Sequence, residues 1–389
     1  MVSESIKLLF FPAPEPATPL GRYRILSPNA SIRVSPLQLG TMSLGTAWDG
    51  MGAVSKQKAF EILDAYFDAG GNFFDVANGY QNEQSEEWLG EWMEIRGVRD
   101  RCVIATKYTA DYRMHTLGKG NAVNFGGNSK ISLHLSVRDS LQKLRTDRID
   151  ILYLHWWDYT ASVEEVMDSL HLIVQQGKAL YLGVSNTPAW IVAAANTYAK
   201  VHGKTPFVVY QGAWSPTLRD MEREVVPMAR KFGIAISTYG SAGSGKYKTK
   251  SQIEERAADP TDSQVFRHSM GQTEVEAKMS VVLEKIAGQV GVRSLTAVAI
   301  AYVLAKTPYV FPVIGGRKVE HLMENIEALK IRLTEEQIAE IESVDNFDFG
   351  WPLNVAGGDV HRTGHLNANL ASSAHVDVVL DPRAIGYSG

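Results

Sequence analysis

Cysteine is almost missing. Cys102 is the single one among 389 residues, so neither an internal disulfide nor a cysteine-based zinc site can form, as expected of a protein in a reducing compartment. It sits in the apolar run CVIAT and reads as a buried, inert thiol. Long hydrophobic runs are missing too: nothing approaches the ~18–20 consecutive apolar residues of a membrane span. The N-terminal IKLLFF is shorter than a signal-peptide core and runs straight into Pro12, Pro14, Pro16 and Pro19. A Pro-rich leader and a cytoplasmic location are expected, which leaves the sequon at residues 29–31 without a secretory context. Nor does charge of one sign dominate. Lys and Arg total 39 against 43 Asp and Glu, a net charge of -4, and the cations are dispersed, so neither nucleic acid nor an anionic membrane is expected as a partner. No metal is expected.

What the chain does have is a repeat. Length and a 45% hydrophobic content permit a large core. Runs rich in Val, Ile, Phe and Tyr alternate with helical-period segments between about residues 37 and 330. The candidate strands are 37–44, 73–77, 102–108, 149–155, 180–185, 207–211, 234–239 and 310–314. Their usual spacing of about 30 residues suits one strand, one helix and two loops. Wider intervals before the fourth and eighth hold two insertions, at 117–128 and 246–271. Ser55 can cap a helix that Gly70 and Gly71 end.

Eight such units predict an α/β fold, a closed (β/α)8 TIM barrel, because closure removes both sheet edges. An open doubly wound sheet is the alternative. Against it, no G-x-G-x-x-G follows the first strand, which reads LGTMSLG and leads to Trp48 and Asp49. The expected organisation is a leader and barrel-floor hairpin at 1–36, the barrel at 37–345, and an extension at 346–389 that packs on it.

Four ionisable residues fall at or just after strand ends: Asp75 and Tyr80 in FFDVANGY, Lys107 in VIATKY, and His155 in ILYLHWW. In such a barrel the βα loops at these ends build the active site. Reducing a carbonyl leaves a developing alkoxide, which needs a proton donor and nearby positive charge. Tyr80 can donate the proton. Lys107 can lower its pKa from near 10 toward neutrality, at about 1.4 kcal/mol of differential stabilisation per unit. Asp75 would keep Lys107 charged and in place, and His155 would orient the substrate oxygen or relay the proton in the reverse direction.

These residues in these contexts resemble the tetrad of the aldo-keto reductases, NADPH-dependent (β/α)8 enzymes, and the resemblance runs from about residue 37 to 345. The wording GNFFDVANGYQNEQSEEWLGEWM, KLRTDRIDILYLHWWDYT, GKALYLGVSNTPAW and GGRKVEHLMENIEAL is most similar to the fungal aryl-alcohol dehydrogenase and norsolorinic acid reductase branch. The resemblance implies NADPH/NADP+ as cofactor and reduction of aromatic or bulky aldehydes and ketones, often in secondary metabolism. It also implies cofactor contacts. Ser185, Asn186 and Gln211 would hold the carboxamide, Tyr239 would stack on the nicotinamide, and Gly316, Arg317, Lys318, His321 and Asn325 would bind the adenosine 2'-phosphate end. Thr41, Met42, Asp75, Gly240, Ser241 and Lys246 complete the expected cofactor set. Arg317 and Lys318 also lie where a strand enters a helix, a favourable place for a phosphate. In one departure, Tyr239 stands where this branch tends to carry tryptophan.

Taken singly, each residue has a plainer explanation. Asp75 can cap a loop, Lys107 can be a solvated edge charge, His155 a satisfied core histidine and Tyr80 a tyrosine with a wet hydroxyl. Their placement at equivalent ends of three successive strands favours the catalytic reading. Gly240 to Lys246 spells G-x-x-x-x-G-K, but Tyr247 replaces the Ser or Thr that would ligate magnesium, which speaks against phosphoryl transfer. Trp48, Trp156, Trp157 and Trp214 can form an aromatic wall for a flat substrate, and core packing is the competing role. Trp48, Tyr80, His155 and Trp156 are the expected substrate contacts. A cofactor-bound redox-sensing binding protein is the alternative function. The expected partner is a small-molecule carbonyl substrate.

Overall fold

Every strand-like run expected from the sequence forms a strand within the residues that the computed structural model describes, namely 6, 9–48, 50, 53–258 and 271–385. The hairpin strands are β1 (Arg24–Ser27) and β2 (Ala30–Val34). The barrel comprises β3 (Gln38–Gly40), β4 (Phe73–Asp75), β5 (Val103–Tyr108), β6 (Ile149–Leu154), β7 (Ala179–Ser185), β8 (Phe207–Ala213), β9 (Ala235–Tyr239) and β10 (Val310–Ile314). All its neighbours are parallel, and β10 closes onto β3 with Val313 beside Gln38 and Ile314 beside Leu39. The fold is therefore a (β/α)8 barrel rather than an open sheet. β3 stops short of the expected residue 44. Beyond Gly40 the Thr41 N–H goes to the Asp75 carbonyl, and the Leu44 N–H closes a turn on Thr41.

The outer helices follow from simple local rules. In α1 (Lys56–Asp68) the Ser55 hydroxyl accepts the Lys58 N–H, and Ala59, Ile62, Leu63 and Tyr66 are buried. Their i, i+3, i+4, i+7 spacing turns one face inward, and each larger side chain contributes roughly 1.5–3 kcal/mol by leaving water. Past the Ala69 C-cap the chain turns at Gly70, whose φ of +101° and contact with Gly21, 2.7 Å from where a Cβ would stand, leave no room for a side chain.

The hairpin packs against residues at the strand starts. Leu26, Ala30 and Val34 join Phe73, Val103, Val208, Ala235 and Phe311, all at or near strand starts, in one apolar cluster inside the barrel. Asn29 ties the hairpin tip to the Phe232 and Gly233 carbonyls at 2.7 and 2.9 Å. Residues 347, 381 and 383 make side-chain contacts with earlier parts of the chain. Arg219 and Arg223 stack over Phe347, Arg230 pairs with Asp381, and Arg383 pairs with Glu335. Of the expected insertions, 117–128 forms a loop, while 246–271 carries a helix at Lys250–Ala258 and its residues 259–270 lie outside the described residues, as do Asp49 and parts of the leader and tail. Among the described residues no single helix is long and apolar enough to cross a membrane.

Candidate active site

Strand geometry brings the four expected residues together. Asp75 ends β4, Lys107 is the next-to-last residue of β5, His155 follows β6 directly, and Tyr80 lies in the loop after β4. Lys107 is 1% exposed and Asp75 4%, a burial that an ammonium tolerates only with partners. It has three: the Lys107 Nζ lies 2.8 Å from Asp75 Oδ1, donates to the Val76 carbonyl at 2.8 Å and reaches the Tyr80 hydroxyl at 3.5 Å. Burial acts against the Lys107 charge, but the Asp75 carboxylate and the Tyr80 oxygen outweigh it and raise the pKa above the ordinary lysine value.

Tyr80 departs from expectation. Tyr80 is half-buried; loss of water around the phenol raises its pKa, and the opposing pull of Lys107 is the smaller effect, partly cancelled by Asp75. In this protein Lys107 limits the rise rather than bringing the phenol to neutrality, so Tyr80 keeps its proton at neutral pH. Burial and then Lys107 push His155 down to about 3. It is a neutral imidazole, stacked edge-on to Tyr80 at 5.9 Å between ring centres, and its buried Nδ1 has no protein partner.

Around this centre the strand ends add polar groups. Ser185 has a fully buried hydroxyl without a protein partner. Asn186, at φ +45°, donates to the His155 carbonyl at 3.2 Å and accepts from the Tyr239 hydroxyl at 2.9 Å. Gln211 turns its amide nitrogen to Asp75 Oδ1 at 2.7 Å and to Ser237 at 3.0 Å. Gln38 donates to the same Ser237 hydroxyl at 2.8 Å. Sequence reasoning missed Gln38 and Ser237. Their signal was a polar residue inside an apolar strand, which a barrel interior explains.

The remaining expected contacts divide. Thr41 binds the Asp75 carbonyl through both its N–H and its hydroxyl, and the Met42 carbonyl accepts from Gln81. After β9, Gly240 has φ +73°, and Ser241 bonds Thr238 at 2.7 Å. Lys246 is paired with Glu276 at 3.0 Å, and Asn325 is buried with its oxygen on Thr296. Gly316, Arg317, Lys318 and His321 gather where β10 leads into the helix Val319–Ile326. There burial, followed by the Lys248 and Lys318 charges, lowers the His321 pKa against the opposing pull of Glu324 and Glu320. Tyr247 is buried, its hydroxyl on Ser215 and Thr217.

The tryptophans separate clearly. Trp48 packs edge-on to Tyr80 with centres 6.2 Å apart, and Trp156 lies 4.9 Å from His155 and is 38% exposed. Trp157 packs against the core. Trp214 is wholly buried with its indole N–H on Glu222, so it belongs to the interior rather than to an open wall.

Comparison with known proteins agrees with this geometry. The model of the aldo/keto reductase family matches residues 36–346. The aldo-keto reductase ausK of Emericella nidulans is 57% identical over 389 residues, covering 100% of this chain and 98% of the relative. Norsolorinic acid reductase A of Aspergillus parasiticus is 50% identical over 345 residues, with 88% and 86% covered. The NADP(+) aryl-alcohol dehydrogenase of Phanerodontia chrysosporium is 49% identical over 378 residues, with 94% and 98% covered. A closed barrel, four ionisable side chains converging at its mouth and full-length similarity lead to one conclusion: the chain belongs to the aldo/keto reductase family.

Proposed function

We propose that this protein is an NADP(H)-dependent reductase of aromatic or otherwise bulky aldehydes and ketones, with Tyr80 as the proton donor and residues 37–345 as the catalytic unit. The observation that carries this reading is the buried Lys107, bridging the Asp75 carboxylate at 2.8 Å and the Tyr80 hydroxyl at 3.5 Å. Bound NADPH supplies the hydride.

The residues at the mouth suit that cofactor. A buried Ser185 hydroxyl with no protein partner is costly unless a ligand meets it, and Asn186 and Gln211 stand beside it with amide groups. The exposed Tyr239 ring offers a stacking face, and the Arg317, Lys318 and His321 patch suits a phosphate. Tyr80 donates its proton to the substrate oxygen. Lys107 then balances the phenolate left behind, and Asp75 keeps the ammonium from losing its own proton. A neutral His155 donates a hydrogen bond to the same oxygen without competing as an acid. Trp48 and Trp156 flank this point and favour a flat substrate.

The test is NADPH oxidation by a panel of aromatic aldehydes. Tyr80→Phe should lower kcat at least about 100-fold, the usual scale of acid catalysis, while NADPH still binds. A Phe variant with near-normal turnover would remove the mechanism.

A further inference from the structure

The three residues after Tyr80 have an uncommon backbone. Gln81, Asn82 and Glu83 carry φ values of +53°, +52° and +77°, a left-handed run that residues with a Cβ disfavour and that glycine would adopt freely. Side chains other than hydrogen at three such positions call for a reason, and each side chain here has one. Gln81, with no exposed surface, accepts the Trp48 backbone N–H at 2.8 Å and donates to the Met42 carbonyl at 2.9 Å. Asn82 accepts the Trp48 indole N–H at 3.1 Å. Glu83 is anchored from behind by Lys143 at 3.1 Å.

The segment just beyond continues the pattern. Gln84 accepts the Thr46 N–H at 2.8 Å, and the Ser85 hydroxyl faces the Thr41 and Leu44 carbonyls, each at 3.0 Å. Residues 41–48 lie past the end of β3 and have left the sheet ladder, so the turn after Tyr80 satisfies much of their backbone. The fit is close: a Cβ on Gly45 would stand 2.4 Å from Gln81 carbons. Trp48 and Tyr80, 32 positions apart in the chain, are therefore held as one unit with their rings edge to face.

We propose that Gln81 and Asn82 are positioning residues that clamp Trp48 beside Tyr80 and so set how well a bulky carbonyl substrate is held at the mouth. This rests on the reductase reading above, and the experiment separates the two.

Amide hydrogen exchange at Thr46 and Trp48 in the cofactor-free protein reads the clamp itself. KM and kcat for 2-naphthaldehyde and for propanal, with NADPH, read its consequence. Asn82→Gly keeps a backbone suited to positive φ but loses the indole acceptor, whereas Asn82→Asp keeps the acceptor. The Gly variant should raise the naphthaldehyde KM about 5–10-fold, the scale of one lost hydrogen bond, with kcat and the propanal KM changed less than about twofold, and the Asp variant should restore it. Gln81→Ala should speed exchange at the Trp48 amide about tenfold or more, since it removes that amide's own acceptor, and the Thr46 amide, whose acceptor is Gln84, should change less. Unchanged naphthaldehyde KM in Asn82→Gly, or equal losses of kcat for both aldehydes in the Gly and Asp variants, would overturn the proposal. If the wild-type protein reduces neither aldehyde, the reductase reading fails and takes the substrate role with it. Exchange then still decides the clamp: Trp48 amide rates equal in wild type and Gln81→Ala would refute it.

Discussion

Breaking the Asp75–Lys107 pair should cost more than removing it. At 2.8 Å and an effective dielectric constant of about 20, the gross attraction is about 6 kcal/mol, most of it offset by taking both groups out of water. Asp75→Asn leaves a lysine that is 1% exposed with only a carbonyl and a phenol for company. Lys107→Met leaves a buried carboxylate with Gln211 as its remaining donor. Each single change should therefore destabilise by about 3–5 kcal/mol, while the double variant should lose clearly less than the sum. Urea unfolding of the four proteins at pH 7 gives the coupling directly. The pH dependence has a definite sign. Because the folded-state Lys107 pKa is raised, its contribution is fully present below the unfolded lysine value of about 10.4 and is lost as pH climbs through the higher folded value. In Asp75→Asn the burial effect acts unopposed by a carboxylate, so the lysine pKa drops and stability rises with pH above the new folded value. A coupling under about 1 kcal/mol, the scale of an exposed pair, would refute the argument that burial makes this pair the keystone of the site.

Two further outcomes follow from the orphaned groups. With a folded pKa of about 3 against an unfolded value near 6.5, His155 binds fewer protons folded than unfolded, so stability is lost as pH falls from about 6.5 toward 3. His155→Gln should flatten that limb in urea midpoints measured at pH 7 and pH 5, and an identical drop in both proteins would contradict it. Ser185→Ala removes a hydroxyl that has no protein partner, so unfolding stability should hold within about 0.5 kcal/mol while the NADPH Kd rises about 2–10-fold. A loss of stability with unchanged Kd would show that the hydroxyl serves the protein rather than the cofactor.

Much of this protein could be read before any coordinates. Runs of β-branched and aromatic residues at regular spacing located all eight barrel strands, because a strand buried on both faces has to be apolar throughout. The chemistry of Asp75, Lys107 and His155 stood out because each interrupts or ends such a run. Other features lay beyond the reach of local pattern. Gln38 and Ser237 meet across 199 positions, and Gln211 and Asp75 across 136, and those contacts exist only once the sheet has closed. The left-handed turn at 81–83 escaped notice because only Asn82 is a residue type that favours positive φ, and Gln81 and Glu83 on either side of it are not; the Trp48 segment lying against them makes that backbone worth adopting. The direction of the Tyr80 shift also depended on the fold, since it is the difference between burial and the Lys107 charge, and neither can be weighed from residue type. Residue order determined the strands, their ends and the reactive groups placed there. Barrel closure alone decided which of those groups lose their water together, and that loss sets their charges, their partners and the proton that Tyr80 retains.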